Sequence, residues 1–298
     1  MFYIKNNKFI KADIIFLFVS AVILSTAVFC FSYIQKTNFA SQYTLQEDYN
    51  TSKQVNSLQE DSNTSKRDSA LQEDSDVLKT DSIKKLTQKK ENCLICIDPG
   101  HQERGDSSLE QVAPNSSQKK AKVSSGTTGI ATKKPEYVLN LEASQVLKKI
   151  LEEKKYEVMM TRETHEVNIS NSQRAIMANE AKADLVVRIH ADGLDNPSVT
   201  GSSVLVPAKD GQYTSAIYEE SYKVAQIIKK NFQNENIKIN GIFERNDLTG
   251  FNWSTVPTVL IEMGFMSNYN EDLMMSDKSY QEKMMNAVAD AIDEAFEE

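Results

Sequence analysis

The chain is organised around the stretch Cys93-Leu94-Ile95-Cys96-Ile97-Asp98-Pro99-Gly100-His101, an apolar run that stops abruptly at a turn. A short run of β-branched and apolar residues closed by Pro-Gly is typical of a strand followed by a turn. The pattern therefore predicts a strand with His101 just beyond its carboxyl end.

Two later stretches repeat this pattern. The first is Asp184-Leu185-Val186-Val187-Arg188-Ile189-His190, and the second is Val256-Pro257-Thr258-Val259-Leu260-Ile261-Glu262-Met263-Gly264. Open α/β sheets carry their ligand sites at the carboxyl ends of parallel strands. If the three strands are parallel, they bring three polar side chains to one edge of the sheet: His101, His190 and Glu262.

The chain from about residue 92 onward alternates predicted strands with amphipathic helices. Besides the three stretches, strands are predicted at 156–161, 202–206 and 242–244, and helices over about 135–150, 170–183, 217–232, 270–275 and 280–295. The polar segment 102–135 between the first strand and the first helix is predicted as a loop, long enough to indicate a function of its own. The predicted fold class is α/β, with a mixed, mostly parallel sheet flanked by helices on both faces, of the phosphorylase/hydrolase-like kind.

The amino-terminal residues predict a membrane anchor. Residues 14–34 carry no charge and are long enough to cross a bilayer as a helix. The preceding positive charges, Lys5, Lys8 and Lys11, favour a cytoplasmic amino terminus and an extracytoplasmic remainder. A cleaved signal peptide would have an apolar region of about 7–15 residues and a small-x-small cleavage site, and neither is present. A single-pass anchor is therefore predicted, with secretion after signal-peptide cleavage as the alternative.

The next segment, residues 35–91, is polar and repetitive. Leu-Gln-Glu-Asp recurs at Leu45, Leu58 and Leu71, thirteen residues apart each time. Each unit offers one leucine and little else to bury, so the segment is predicted to be a solvated linker. The predicted division is 1–34 for the cytoplasmic tip and anchor, 35–91 for the linker and 92–298 for the catalytic domain.

Composition excludes some classes of partner and site. The net charge of -8, without a basic patch, argues against nucleic acid. Cys93 and Cys96 lie three residues apart on one strand and point to opposite faces, so they are predicted to be buried thiols and not a zinc or disulfide pair. The sequence carries no signal for an oligomeric state.

A catalytic zinc site takes three protein ligands and leaves one position open, so two histidines need a third partner. Glu136 lies on the sheet-facing stripe of the first predicted helix, with Leu139 and Ala143. Glu142 is the second candidate, about a quarter turn from the centre of that stripe. On spacing alone, Glu136 fits equally well as a helix-start carboxylate that complements the helix dipole.

Other polar residues near these strands are predicted neither to bind the metal nor to take part in the reaction. His165 is predicted to be a surface-loop residue. Asp98 and Asp192 flank the histidines and are predicted to accept hydrogen bonds from their imidazole rings. Arg174 and Arg188 are predicted to pair with carboxylates.

Five motifs, in this order along the chain, together resemble those of a known enzyme family. They are Ile97–His101, Glu136 opening Glu-x-x-x-Asn-Leu, Thr161-Arg162, Arg188-Ile189-His190-Ala191-Asp192, and Val259–Asn268. Together they resemble the zinc-dependent N-acetylmuramoyl-L-alanine amidases, the family of cell-wall autolysins and spore-cortex amidases, over about residues 92–298. The resemblance implies one zinc ion per catalytic domain, bound by His101, Glu136 and His190, and a catalytic Glu262.

The reaction implied by the resemblance is hydrolysis of peptidoglycan, at the amide bond between the lactyl group of N-acetylmuramic acid and L-alanine. Two departures from the family pattern concern the surroundings of the site. Gln102-Glu103-Arg104-Gly105 stands where many members have Gly-Gly, and residues 191–212 leave little room for the inhibitory helix of some members. The alternatives are a zinc carboxypeptidase-type peptidase and a non-catalytic, membrane-tethered wall-binding protein.

Overall fold

The structure is a computed structural model that describes Lys90 and residues 92–297. The predicted anchor 14–34 and, apart from Lys90, the predicted linker 35–91 lie outside the described residues. Among the helices of the described part, none combines the length and apolar character needed to cross a membrane.

The described part contains eight strands and six helices. The strands are β1 (Leu94–Pro99), β2 (Asp106–Gln111), β3 (Lys119–Val123), β4 (Glu157–Met160), β5 (Leu185–Asp192), β6 (Ser202–Pro207), β7 (Ile239–Arg245) and β8 (Thr258–Phe265). The helices are α1 (Glu136–Glu153), α2 (Asn171–Ala181), α3 (Ser215–Asn234), α4 (Thr249–Asn252), α5 (Tyr269–Ser276) and α6 (Lys278–Glu297).

Six strands form one sheet in the order β4-β1-β5-β8-β6-β7. The first four strands of this order are mutually parallel. Strand β6 runs antiparallel to β8, and β7 runs parallel to β6. The predicted fold class, a mixed and mostly parallel sheet flanked by helices, is confirmed, and the carboxyl ends of β1, β5 and β8 share one edge.

Side chains alternate between two core clusters on the two faces of the sheet. Ile95 and Ile97 of β1 pack with residues of α1, α3 and α6, whereas Cys96 packs with Ala178 of α2 on the other face. Cys93 belongs to the first cluster. The prediction of two buried thiols on opposite faces is confirmed.

The helix starts follow local sequence signals. Pro135 is the N-cap residue of α1, with an extended backbone (φ −65°, ψ 145°) immediately before the first helical turn. At α2, the Ser170 hydroxyl accepts a hydrogen bond from the Gln173 backbone N–H, and the Gln173 side-chain oxygen accepts one from the Ser170 backbone N–H, which forms a capping box. Both helices begin within one residue of the predicted positions.

The predicted loop 102–135 is not wholly loop. It contains β2 and β3, which pair as an antiparallel hairpin. Sequence periodicity missed the hairpin because its strands, DSSLEQ and KKAKV, are mostly exposed and lack alternating apolar residues.

Candidate metal centre

The turn after β1 holds His101 in an unusual backbone conformation. His101 has a φ of 62°, in the left-handed region that non-glycine residues seldom occupy. Gly100 before it packs so closely on a second histidine that an added Cβ would lie 2.2 Å from Cε1 of His190. Glycine is therefore required at position 100 to let the two imidazole rings approach, and their centroids lie 4.8 Å apart.

Two buried arginines hold the three consecutive carbonyl groups of this turn. Arg162 donates to the carbonyls of Pro99 (3.0 Å) and Gly100 (2.9 Å). Arg174 donates to those of Pro99 (2.8 Å) and His101 (2.9 Å). Because these donors come from the segments after β4 and in α2, the conformation of the turn is set by distant parts of the chain.

Asp98 neutralises the arginines beneath the turn. Its carboxylate contacts Arg174 at 2.7 Å and Arg188 at 2.8 Å, and it accepts from the Thr161 hydroxyl at 2.5 Å. Burial alone would raise the pKa of Asp98, but the two guanidinium groups hold it well below its usual range. The predicted pairing of Arg174 and Arg188 with a carboxylate is confirmed. The predicted contact of Asp98 with an imidazole is wrong, because the two buried arginines occupy its oxygens.

The predicted partner role of Asp192 is also wrong. Its carboxylate accepts from the backbone N–H of Gly193 at 2.7 Å, and no imidazole contacts it within the described part of the chain. His101 is oriented instead by Ser124, whose carbonyl and hydroxyl oxygens each lie 3.0 Å from Nδ1. Sequence reasoning missed Ser124, since a serine at the end of a polar hairpin carries no signal.

Glu136 lies between the two histidines. Its Oε1 is 3.0 Å from Nε2 of His101 and 3.3 Å from Nδ1 of His190. Oε2 accepts from the backbone N–H of Thr127 at 2.9 Å, and Oε1 also accepts from the Asn140 amide at 3.1 Å. Burial alone would raise the pKa of Glu136, yet the hydrogen bonds from the two histidines hold it well below its usual range.

These three side chains form a compact set of metal-ligand donors. One ligand atom from each of His101, Glu136 and His190 lies within 4.8 Å of the others. Glu142 is outside this set, because it points away and pairs with Lys134. His165 is outside it too: it follows β4 and packs edge-on against Tyr137, with 5.2 Å between ring centroids.

Glu262 lies one strand away from the donor set. It pairs with His190 in the parallel register of β5 and β8, so the two side chains share a face of the sheet. Its Oε2 is buried and has no hydrogen-bond partner among the residues that the structure describes. Burial, followed by the negative charges of Glu136 and Asp192, raises the pKa of Glu262 well above its usual value. His190 is affected in the opposite sense, as burial lowers its pKa to about 4.

Comparison with known families agrees with this arrangement. A family profile described as N-acetylmuramoyl-L-alanine amidase matches residues 95–294, more than half of the chain. The chain belongs to this family. The match spans every residue of the donor set and Glu262.

Individual relatives of this amidase-family chain are distant. The N-acetylmuramoyl-L-alanine amidase Rv3717 of Mycobacterium tuberculosis is 25% identical over 204 residues, covering 65% of this chain and 83% of the relative. The probable cell wall amidase LytH of Staphylococcus saprophyticus is 28% identical over 206 residues, covering 68% and 58%. The crystal structure of the amidase Ami1 from Mycobacterium smegmatis superposes with a TM-score of 0.62 at 22% identity, covering 69% and 97%, which shows a shared fold.

The segment that stands where many amidases have Gly-Gly has a structural role here. The Gln102 side chain is fully buried, donates to the Arg104 carbonyl at 2.9 Å and accepts from the Ile169 N–H at 3.0 Å. It thereby joins the segment after His101 to the one before α2. Residues 193–201 contain no helix, in line with the short segment predicted there.

A second glycine borders the donor set of this amidase-family chain. Gly126 has a φ of 81°, and a Cβ at this position would lie 2.5 Å from Oε2 of Glu136 and 2.9 Å from Cδ2 of His101. Any side chain would displace both groups. Sequence reasoning did not single out Gly126, although Ser-Ser-Gly-Thr-Thr is a turn-like composition.

Proposed function

We propose that this chain is a zinc-dependent peptidoglycan hydrolase that cleaves the amide bond between the lactyl group of N-acetylmuramic acid and L-alanine. The observation that carries the proposal is the convergence of His101, Glu136 and His190 beside Glu262. The family match supports the substrate, since the relatives are named as N-acetylmuramoyl-L-alanine and cell wall amidases.

The donor set fits a zinc ion. Two imidazoles and one carboxylate are zinc ligands in proteins, and ligand atoms 2.0–2.1 Å from a tetrahedral zinc lie about 3.4 Å apart. The separations of 3.0 Å and 3.3 Å between Glu136 and the two histidines are close to that value. Nδ1–H of His101 donating to the Ser124 carbonyl leaves Nε2 as the metal-binding nitrogen. Zinc bound here would polarise the amide carbonyl and make a coordinated water more acidic.

Glu262 is the proposed general acid and base. Its buried, unpartnered oxygen faces the same side of the sheet as His190, where a water and the scissile amide would meet. Because the pKa of Glu262 is raised toward neutral pH, the same carboxyl group can accept a proton and then return it. Glu262 would take the proton of the attacking water and deliver it to the departing L-alanine nitrogen.

We further propose that the enzyme acts outside the cytoplasmic membrane, tethered by residues 14–34. The uncharged length of this segment and the preceding lysines support the orientation.

Product analysis on purified peptidoglycan tests the activity. The full chain should release intact stem peptides with free L-alanine amino ends, lose this activity to a chelator and regain it with zinc. Glu262→Gln should retain zinc and lose turnover by about 10²–10⁴-fold. Free terminal amino acids as products would indicate a carboxypeptidase instead, and binding without cleavage would indicate a wall-binding protein.

A further inference from the structure

Glu262 is the last regularly paired residue of β8 on both sides of the strand. On one side it pairs with His190 of β5, and on the other side it pairs with Ser203 of β6. Toward the carboxyl end of β8, no later pair joins β6 and β8 in the described part of the chain. The proposed general acid and base therefore lies where the regular hydrogen bonding of β8 stops.

The register of β8 against β5 also changes immediately after Glu262. The next paired residues are Asp192 and Phe265, so two residues of β8 lie opposite one residue of β5. Such a β-bulge inserts one extra residue, bends the strand and re-aims nearby side chains, and bulges are over-represented next to active sites. The bulge thus sets the course of the β8 backbone directly after Glu262.

A buried carboxylate replaces the hydrogen bonds of the regular ladder at this point. Glu271 of α5 is 7% exposed, and its Oε1 accepts from the backbone N–H of Gly201 at 2.6 Å. Its Oε2 accepts from the backbone N–H of Phe265 at 2.8 Å. Gly201 comes just before β6, and Phe265 is the last residue of β8. The Glu271 side chain therefore bridges the two strands where their direct pairing has ended.

The helix that carries Glu271 packs directly on the bulge. A Cβ added at Gly264 would lie 3.1 Å from Oε2 of Glu271 and 3.1 Å from Sδ of Met275, which is also in α5. The backbone N–H of Glu271 donates to Oδ1 of Asn268, the N-cap residue of α5, at 3.1 Å. The first turn of α5 is thereby fixed, and it holds the carboxylate of Glu271 against the end of β8.

We propose that Glu271 is a positioning residue that acts through Glu262. By bridging β6 and β8, its carboxylate holds the bulge in place and keeps the Glu262 carboxyl group on the same side of the sheet as His190. Both oxygens of Glu271 accept from backbone N–H groups, so Glu271 itself takes no part in proton transfer. This inference rests on the proposed function of Glu262 as general acid and base.

The kinetics of Glu271→Gln test this role on the full chain with a soluble muramoyl peptide. Glutamine keeps the size of the side chain, but its NH2 group cannot accept a hydrogen bond, so one of the two backbone contacts is lost. We expect kcat per zinc-loaded molecule to fall by about 10- to 100-fold, because a catalytic group that is slightly misplaced loses turnover. KM and zinc affinity should be unchanged, since Glu271 contacts backbone N–H groups and not the donor set.

Glu244→Gln is the matched control. Glu244 also lies near the end of a strand and accepts from a backbone N–H, that of Lys209, at 2.9 Å. Its contacts are away from Glu262, so the variant should have the kcat of the wild type. An unchanged kcat in Glu271→Gln, or an equal loss in both variants, would overturn the proposal.

A double-mutant cycle distinguishes positioning from a general structural effect. If Glu271 acts through Glu262, adding Glu271→Gln to Glu262→Gln should cause no further loss of the residual turnover. A further loss as large as the one in the wild-type background would overturn the proposal. If Glu271→Gln does not fold, the same cycle is measured with Glu271→Asp, which keeps the charge and shortens the side chain.

Chemical labelling separates this inference from the proposed function. The full chain is treated with a water-soluble carbodiimide and an amine, and the labelling of Glu262 is followed by mass spectrometry of proteolytic fragments. Because Oε2 of Glu262 is buried, a displaced β8 should expose it, and Glu262 should be labelled faster in Glu271→Gln than in the wild type. Equal or slower labelling would refute the inference even if the chain is an active amidase. Faster labelling would support it even if the wild type does not cleave the bond to L-alanine.

Discussion

At the residue scale, two glutamates of α1 have contrasting environments. Glu136 is 3% exposed and contacts both histidines, whereas Glu142 is on the side of the helix that meets Lys134. The sequence placed both on or near the sheet-facing stripe. The structure distinguishes them. The first turn of α1, which carries Glu136, lies at the carboxyl edge of the sheet, whereas Glu142 belongs to a later turn of the helix.

Removing each glutamate in turn tests the third ligand. Glu136→Ala should lower zinc affinity by more than about 100-fold, since loss of an outer hydrogen-bond partner alone lowers it by about 10–100-fold. Glu142→Ala serves as the matched control on the same helix and should leave zinc affinity unchanged. Competition with a chromophoric chelator measures both. The reverse ranking would move the third ligand to Glu142.

Asp98 gives a second prediction at this scale. Asp98→Ala leaves Arg174 and Arg188 buried without a counter-charge, and the expected loss is about 3–5 kcal/mol in the free energy of unfolding. Glu142→Ala, which breaks only a partly exposed pair, should cost less than about 1 kcal/mol. Urea unfolding at neutral pH measures both, and similar losses would show that the buried network does not stabilise the turn.

The depressed pKa of Asp98 predicts that the stability of the folded protein depends on pH. Its folded pKa is depressed below the unfolded value of about 3.9, so its stabilisation is fully present above about pH 4 and is lost as pH falls through the folded pKa. In Asp98→Asn, the decline of stability below pH 4 should be shallower than in the wild type.

At the element scale, the segment between the hairpin and α1 is attached to a helix far along the chain. Asp272 in the first turn of α5 is fully buried and accepts hydrogen bonds from the N–H groups of Ala131 and Thr132 and from the Thr132 hydroxyl. The backbone of Glu136 then donates to the Thr127 carbonyl at 2.9 Å. The part of the predicted loop nearest α1 is therefore a fixed support for Glu136.

The β2–β3 hairpin contacts a different part of the chain, the segment between β7 and β8. Lys120 of β3 contacts Asp247, and the Trp253 indole N–H donates to the Gln111 carbonyl at 2.9 Å. These contacts join β2 and β3 to the segment between β7 and β8. The length of the 102–135 segment is thus explained by two structural tasks, contacting the segment between β7 and β8 and carrying Ser124 and Gly126 to the metal centre.

At the scale of the whole molecule, we expect the linker to determine where the catalytic domain acts. Residues 35–91 lie outside the described residues, apart from Lys90, and their composition predicts a coil with a root-mean-square span of about 40 Å. Deleting two of the three thirteen-residue units should leave specific activity on purified peptidoglycan unchanged. In cells, the shorter linker should confine cleavage to wall closer to the membrane, or reduce it, as measured by labelled wall turnover.

Limited proteolysis of wall-stripped cells checks the premise of this prediction. External protease should cut within 35–91 and release an active fragment. A segment that resists the protease as a folded unit does would contradict the linker assignment.

The sequence by itself determined the strand ends that carry His101, His190 and Glu262, the start of α1 at Glu136 and the α/β class. These features depend on local periodicity and turn residues, which the chain encodes within about ten positions. The anchor and the linker stay predictions from composition.

Only the tertiary structure decided which partners these residues have. Asp98 pairs with arginines 76 and 90 positions away, and Ser124 contacts His101 across 23 positions, so no local pattern records either contact. The position of Ser203 opposite Glu262 likewise depends on the antiparallel register of β6 against β8, which a strand pattern does not specify. Contacts between distant segments follow from how the sheet assembles and packs, because burial and charge pairing are satisfied only once the whole sheet has formed.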